Sequence, residues 1–202
     1  MKYLFFFVFL IVSYKGVSQK KISTYNKSFQ FDIGTSFNGS GDLGGFVVYS
    51  EYNKYFKKHF SYSVGLGATF HDNSSISNNS IDERSLYITI AGLEVLGKIG
   101  YSFVKTNKHD LGVKLGVLIR YQSNSTDSYE TDYPPYNGYN VPIVIIVNNE
   151  PQRSLSLGGI AQLCYNYSIN EKIFVGTSGS FQSDTNEDAI SKLSLTFGMR
   201  FN

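Results

Sequence analysis

From Ser28 to the end of the chain, apolar and polar residues alternate with a period of two in eight runs separated by polar or glycine-bearing breaks. The clearest run is 60–70, where Phe60, Tyr62, Val64, Leu66, Ala68 and Phe70 alternate with Ser61, Ser63, Gly65, Gly67 and Thr69. That period puts one set on each face of an extended strand. Residues 29–37 repeat it with Phe29, Phe31, Ile33 and Phe37. Residues 45–56 form a second run of undecided register, because either face carries a charged residue, Glu51 or Lys54. In the fourth run, 85–103, the apolar parity switches from Leu86, Ile88 and Ile90 to Leu93, Val95 and Ile99, which predicts a bulge near Ala91 and Gly92. The fifth sets Leu111 to Tyr121 against Gly112, Lys114, Gly116, Arg120 and Gln122. Runs over 155–167 and 173–181 follow. The last, 192–202, opposes Leu193, Leu195, Phe197, Met199 and Phe201 to Lys192, Ser194, Thr196, Gly198 and Arg200. It is long enough for a tilted crossing of a bilayer, which takes about 9 to 11 residues.

A soluble sandwich or lipocalin also alternates, so connection lengths discriminate better. Connections two, four and six read as tight turns at 57–59, 105–110 and 169–172. Connections one, three, five and seven read as longer, at 38–44, 71–84, 123–153 and 182–189. Short turns on one rim and longer loops on the other are the asymmetry of an outer-membrane barrel. Aromatics concentrate at the run ends, as two interfacial belts require. The predicted fold is therefore an all-β, eight-stranded, antiparallel up-and-down transmembrane β-barrel over 28–202. A signal peptide is expected over 1–18, with Lys2, the apolar run 3–12 and the small residues Gly16, Val17 and Ser18, and a short periplasmic lead-in over 19–27. With an even number of strands, both ends of the barrel lie on the periplasmic side.

Composition sharpens this picture. Sixteen Tyr, sixteen Phe and nineteen Gly against four Pro and no Trp favour strands and turns. A net charge of +2, spread along the chain, gives no footprint for nucleic acid. The single cysteine, Cys164, cannot form an intramolecular disulfide, and its register faces the lumen as an inert thiol. The polar face carries glycines among Ser, Thr and charges. In a barrel of this size side chains fill the interior, so Asp32, Glu51, Glu94, Lys114, Arg120 and Arg200 are expected to form a structural network of ion pairs there.

His59, His71 and His109 are scattered, and no metal or nucleotide motif is present, so neither metal nor cofactor is expected. His71, followed by Asp72, Ser74, Ser75 and Glu83, is the one arrangement with the elements of a lipid-hydrolysing site. Solvation of a loop explains the same residues, and no catalytic residue is assigned. The fifth connection holds Tyr129, Tyr133, Tyr136 and Tyr139 around Pro134 and Pro135, then the apolar run 141–147. Tyrosines on a rigid loop offer contact area for an extracellular ligand. The competing reading is a hairpin that extends the barrel wall. A ninth crossing is disfavoured, since it would invert every later strand.

The leader, the eight alternating runs and the closing Leu193-Ser-Leu-Thr-Phe-Gly-Met-Arg-Phe201 resemble the porin-family or outer membrane protein beta-barrel domain proteins of the Bacteroidota. Architecturally the chain is similar to OmpA/OmpX-type small barrels. The resemblance implies a monomer in the cell outer membrane, surrounded by lipid and delivered by the barrel insertion machinery. Phe197 and Phe201 would serve as the insertion signal, with Asn202 following the aromatic on which many such signals end. The implied role is not enzymatic: membrane structure or surface adhesion, with narrow solute passage or a lipid-modifying activity at His71 as alternatives.

Overall fold

A computed structural model describes residues 25–39, 43–72, 88–134, 138, 140, 142–148, 151–186 and 188–202. The expected signal peptide lies outside them. Nine strands are described: β1 (Lys27–Asn38), β2 (Leu43–Tyr55), β3 (Phe60–Asp72), β4 (Ile88–Lys105), β5 (His109–Asp132), β6 (Ile143–Asn148), β7 (Gln152–Ser168), β8 (Ile173–Asp184) and β9 (Ala189–Phe201). Each except β6 pairs antiparallel with two neighbours in the wall, β5 pairs in addition with β6, and β1 closes on β9 from Lys27 opposite Phe201 to Asn38 opposite Ile190. The result is a closed eight-stranded antiparallel barrel made of β1 to β5 and β7 to β9. Lys27 belongs to β1, so the wall begins one residue before the predicted boundary.

The alternation in the sequence is the alternation of the wall. Leu66, Leu93, Val117, Leu155 and Leu193 lie 60–69% exposed on the outside, while Ser63, Glu94, Arg120, Ser156 and Thr196 are buried inside. This inverts a soluble protein, and hydrocarbon is the solvent that makes such an exterior favourable. Aromatic rings mark both ends of the apolar band. Phe29, Phe60, Tyr62, Tyr101 and Phe103 face outward near the rim that carries Lys27 and Phe201, and Phe37, Phe46, Tyr121 and Phe181 face outward near the other. Phe46 and Phe70 stack at 5.5 Å.

Three local expectations are corrected. Pairing runs without a shift through Ala91 and Gly92 on both sides of β4, so no bulge is present there. Ile90 is simply an apolar residue facing the lumen, and the register shift falls between Ser102 and Val104. Connections one and seven, 39–42 and 185–188, are as short as the turns 56–59, 106–108 and 169–172, because Leu43, Gln182 and Asp184 belong to the strands. The rim asymmetry therefore rests on 73–87, which lies outside the described residues, and on the region between β5 and β7. There β5 continues past the wall and pairs with β6, Asp127 opposite Asn148 through Asp132 opposite Ile143. The apolar run is thus a hairpin raised on the wall, lying above β7 along the same edge of β5, and among the described residues no ninth strand joins the wall. The second strand settles with Glu51 inward and Lys54 outward, because Glu51 is opposite Gln30, another lumen residue.

Leu195, 58% exposed midway along β9, is the sharpest test of which side meets lipid. Leu195→Arg is expected to cost about 2–4 kcal/mol in urea unfolding from vesicles. Ser180→Asn, on the lumen side, should cost far less.

Candidate functional site

The lumen holds two clusters of charge. Nearer the rim of Lys27 and Phe201, Glu51 on β2 forms ion pairs with Lys98 on β4 and Lys114 on β5. Lys98 also donates to Gln162 Oε1 at 2.6 Å, and Lys114 to Asn53 Oδ1 at 2.6 Å. Asn53 donates to Gln30 at 3.1 Å, and Gln30 donates to Asp32 at 3.0 Å. Asp32 also accepts a bond from Thr196. It is therefore joined to Lys114 through two amides rather than by direct ion pairing. One cluster ties β1, β2, β4, β5, β7 and β9 together across the barrel.

The second cluster centres on Glu94 of β4. It accepts from Lys192 at 2.8 Å, from Gln182 at 2.7 Å and from the Tyr49 hydroxyl, which in turn accepts from Lys192. Arg120, fully buried, lies 3.7 Å from Glu94, 3.7 Å from Asp184 and 3.5 Å from Asp188. At these distances it is held chiefly by charge and confinement, its side chain donating one long bond to Thr69 at 3.4 Å. Asp188 is further fixed by Asn38 at 3.1 Å.

Leu96, Leu118 and Ile160 form an apolar layer packed against Tyr49. The interior is consequently not polar throughout, contrary to the expectation from the glycine and serine content. Lumen cavities beside Lys114 and Cys164, and beside Asp32 and Leu96, measure about 10 Å³ each, room for a single water. Two glycines make space for rings from the adjacent strand. A side chain at Gly67 would overlap the Tyr49 ring, and one at Gly198 the Phe174 ring.

Of the residues predicted for this network, Glu51 meets Lys114 and Glu94 meets Arg120. Arg200 stands apart near the rim, bonded to Ser168 at 2.8 Å and stacked 4.9 Å from Phe174. Lys98, Lys192, Tyr49, Asp184 and Asp188 were not singled out. The parity that exposed Glu94 and Arg200 also assigns Lys98 and Lys192 inward. Asp184 and Asp188 lay in a segment read as loop, and Tyr49 in the strand whose register was undecided. Cys164 faces the lumen, with its thiol 3.4 Å from the Gly112 carbonyl.

His71 is buried inside the loop rim at 0% exposure, beside Gly45, where it cannot reach a lipid headgroup. Its supposed partners Ser74, Ser75 and Glu83 lie outside the described residues. Among the described residues, His71 thus faces the lumen and not the lipid. Tyr129 stands on β5 opposite Ile146, Tyr133 is exposed just beyond β5, and Tyr136 and Tyr139 lie outside the described residues. Phe197 faces outward, and Phe201 packs 6.1 Å from Tyr52 at the rim.

No protein-family model and no curated protein matches the chain. Solved structures do. The outer membrane protein OprG of Pseudomonas aeruginosa aligns at 11% identity with a TM-score of 0.54, covering 90% of this chain and 100% of that one. Neisserial surface protein A aligns at 11% identity and 0.49, covering 90% and 100%. The attachment invasion locus protein Ail of Yersinia pestis aligns at 10% identity and 0.49, covering 87% and 97%. At such identities the likeness to OprG speaks for the fold, that of a small outer-membrane barrel.

Removing one partner of a buried ion cluster strands the others, so Glu51→Ala is expected to destabilise the barrel by about 3–5 kcal/mol. Urea titration should show little rescue or loss between 0.1 and ~1 M salt, because buried pairs are poorly screened. Gly67→Val should cost about 1–3 kcal/mol by displacing Tyr49. The double variant Gly67→Val with Tyr49→Ala should recover part of that loss in the same titration.

Proposed function

We propose that the chain is an exported outer-membrane barrel whose working part is the raised hairpin of β5 and β6, used for binding at the cell surface. One observation carries this reading: β5 runs on beyond its pairing with β4 and β7 to Asp132 and is paired there with β6, while the lumen beneath is filled. The barrel then acts as a rigid base, and its buried charges serve stability rather than transport. Both ends of the wall face the periplasm in this reading, which the short turns on that rim support. Kinship with the porin-family barrels of the Bacteroidota is part of the proposal, supported by the strand number and the closing strand.

Between Thr126 and Glu150 the sequence carries Asp127, Glu130, Asp132 and Glu150 and no basic residue. Together with the tyrosines, this favours a partner that presents a basic or polar surface over a polyanion. Narrow solute passage finds less support, since the two lumen cavities measure only about 10 Å³ each and Leu96, Leu118 and Ile160 pack into an apolar layer across the interior.

Replacing 127–148 by a two-residue Asn-Gly turn should leave insertion and urea stability unchanged. Vesicles carrying the intact chain should be retained on immobilised surface proteins of neighbouring cells, and vesicles carrying the shortened chain should not. Equal retention of both would defeat the reading. Planar-bilayer recordings of the intact chain are expected to show no stepwise conductance.

A further inference from the structure

The geometry points to a binding site for the phosphate headgroup of an anionic phospholipid at the rim where β1 and β9 end. A cavity of about 320 Å³ opens there, lined by Lys57 and Lys58 of the turn between β2 and β3, Lys105 at the end of β4, and Arg200 on β9. The acidic residue in its lining is Asp110, which is buried and accepts a bond from the Tyr55 hydroxyl at 2.9 Å. Four cations thus face one engaged carboxylate. Lys57 and Lys58 are exposed and make no ion pair among the described residues. Lys105 is held 3.0 Å above the Tyr55 ring, and Arg200 is fixed by Ser168 and Phe174, so both cations are positioned before a ligand arrives.

A free anion would satisfy the charge, but the surroundings favour a lipid. Phe56 lines the cavity and also packs 6.1 Å from Phe60 and 6.5 Å from Tyr62, both outward-facing members of the aromatic belt. Phe60 continues the belt to Tyr101 at 4.9 Å and Tyr101 to Phe103 at 5.5 Å. The charged hollow is therefore continuous with the lipid-facing wall at headgroup depth. One molecule can lay its acyl chains along Phe60 and Tyr62 while its phosphate reaches Lys57 and Lys58, with Lys105 and Arg200 adding positive potential from the lumen side of the hollow. The phosphate accepts from ammonium donors, and the apolar tail keeps its place in the bilayer. This site is independent of the hairpin and of what the hairpin binds.

The experiment uses the full barrel in non-ionic detergent at about 0.15 M salt, where diffuse rim charge is screened beyond roughly 8 Å. Native mass spectrometry counts retained phosphatidylglycerol against phosphatidylcholine of matched acyl chains. We expect phosphatidylglycerol to be retained about tenfold better. Lys57→Gln with Lys58→Gln should reduce it to the phosphatidylcholine level, since each juxtamembrane cation contributes several-fold. Lys108→Gln with Lys172→Gln, which alters exposed lysines of the same rim outside the cavity, should retain the preference. Equal loss in both double variants, or no preference in the parent, would overturn the site. Displacement of the lipid by inorganic phosphate at comparable concentration would overturn the lipid assignment, whereas an undiminished preference supports it.

Discussion

The pairing of β1 with β9 is the constraint on which the remaining structure depends. A strand edge facing hydrocarbon leaves amides and carbonyls without partners, at a cost of several kcal/mol for each group. The twelve registered positions between Lys27 and Asn38 on one side and Phe201 and Ile190 on the other remove that edge. Once the sheet is closed, every side chain is committed to one of two environments. The period of two then decides which residues meet lipid and which meet one another.

Inside, the commitment creates an electrostatic problem that the clusters solve. Glu51 and Asp32 balance Lys98 and Lys114 in one buried assembly, and Glu94, Asp184 and Asp188 offset Lys192 and Arg120 in the other. Between them Leu96, Leu118 and Ile160 supply packing that needs no partner. Such ion pairs are weak evidence for extra stability compared with a well-packed apolar interior. Their clearer effect is on specificity, since a slip of one strand would point Glu51 or Glu94 into hydrocarbon.

Much of this was legible in the sequence, because strand periodicity is a local property. Residues 60–70 and 192–202 display the wall directly, and Glu51, Glu94, Lys114 and Arg120 could be placed in the lumen by parity or by their charge. What escaped depends on register between strands. Tyr49 reaches Glu94 only because Gly67 lies opposite it, and no single run reveals that pairing. Asp184 and Asp188 resemble loop residues until β8 is seen to extend to Asp184 and the turn to fold them over Arg120. Ile90 suggested a bulge because an apolar residue in the lumen breaks the simple pattern, yet it is buried inside the barrel with the pairing undisturbed.

β5 also has a mechanical aspect. At about 3.4 Å per residue its 24 residues extend for roughly 80 Å, so one unbroken strand joins the outermost hairpin to the opposite rim. Tension applied to the hairpin runs along the strand axis, perpendicular to its hydrogen bonds with β4 and β7. Those bonds are loaded together in shear instead of being peeled apart in succession. An anchor with this geometry resists detachment as a unit, and its grip is set by the length of the embedded strand.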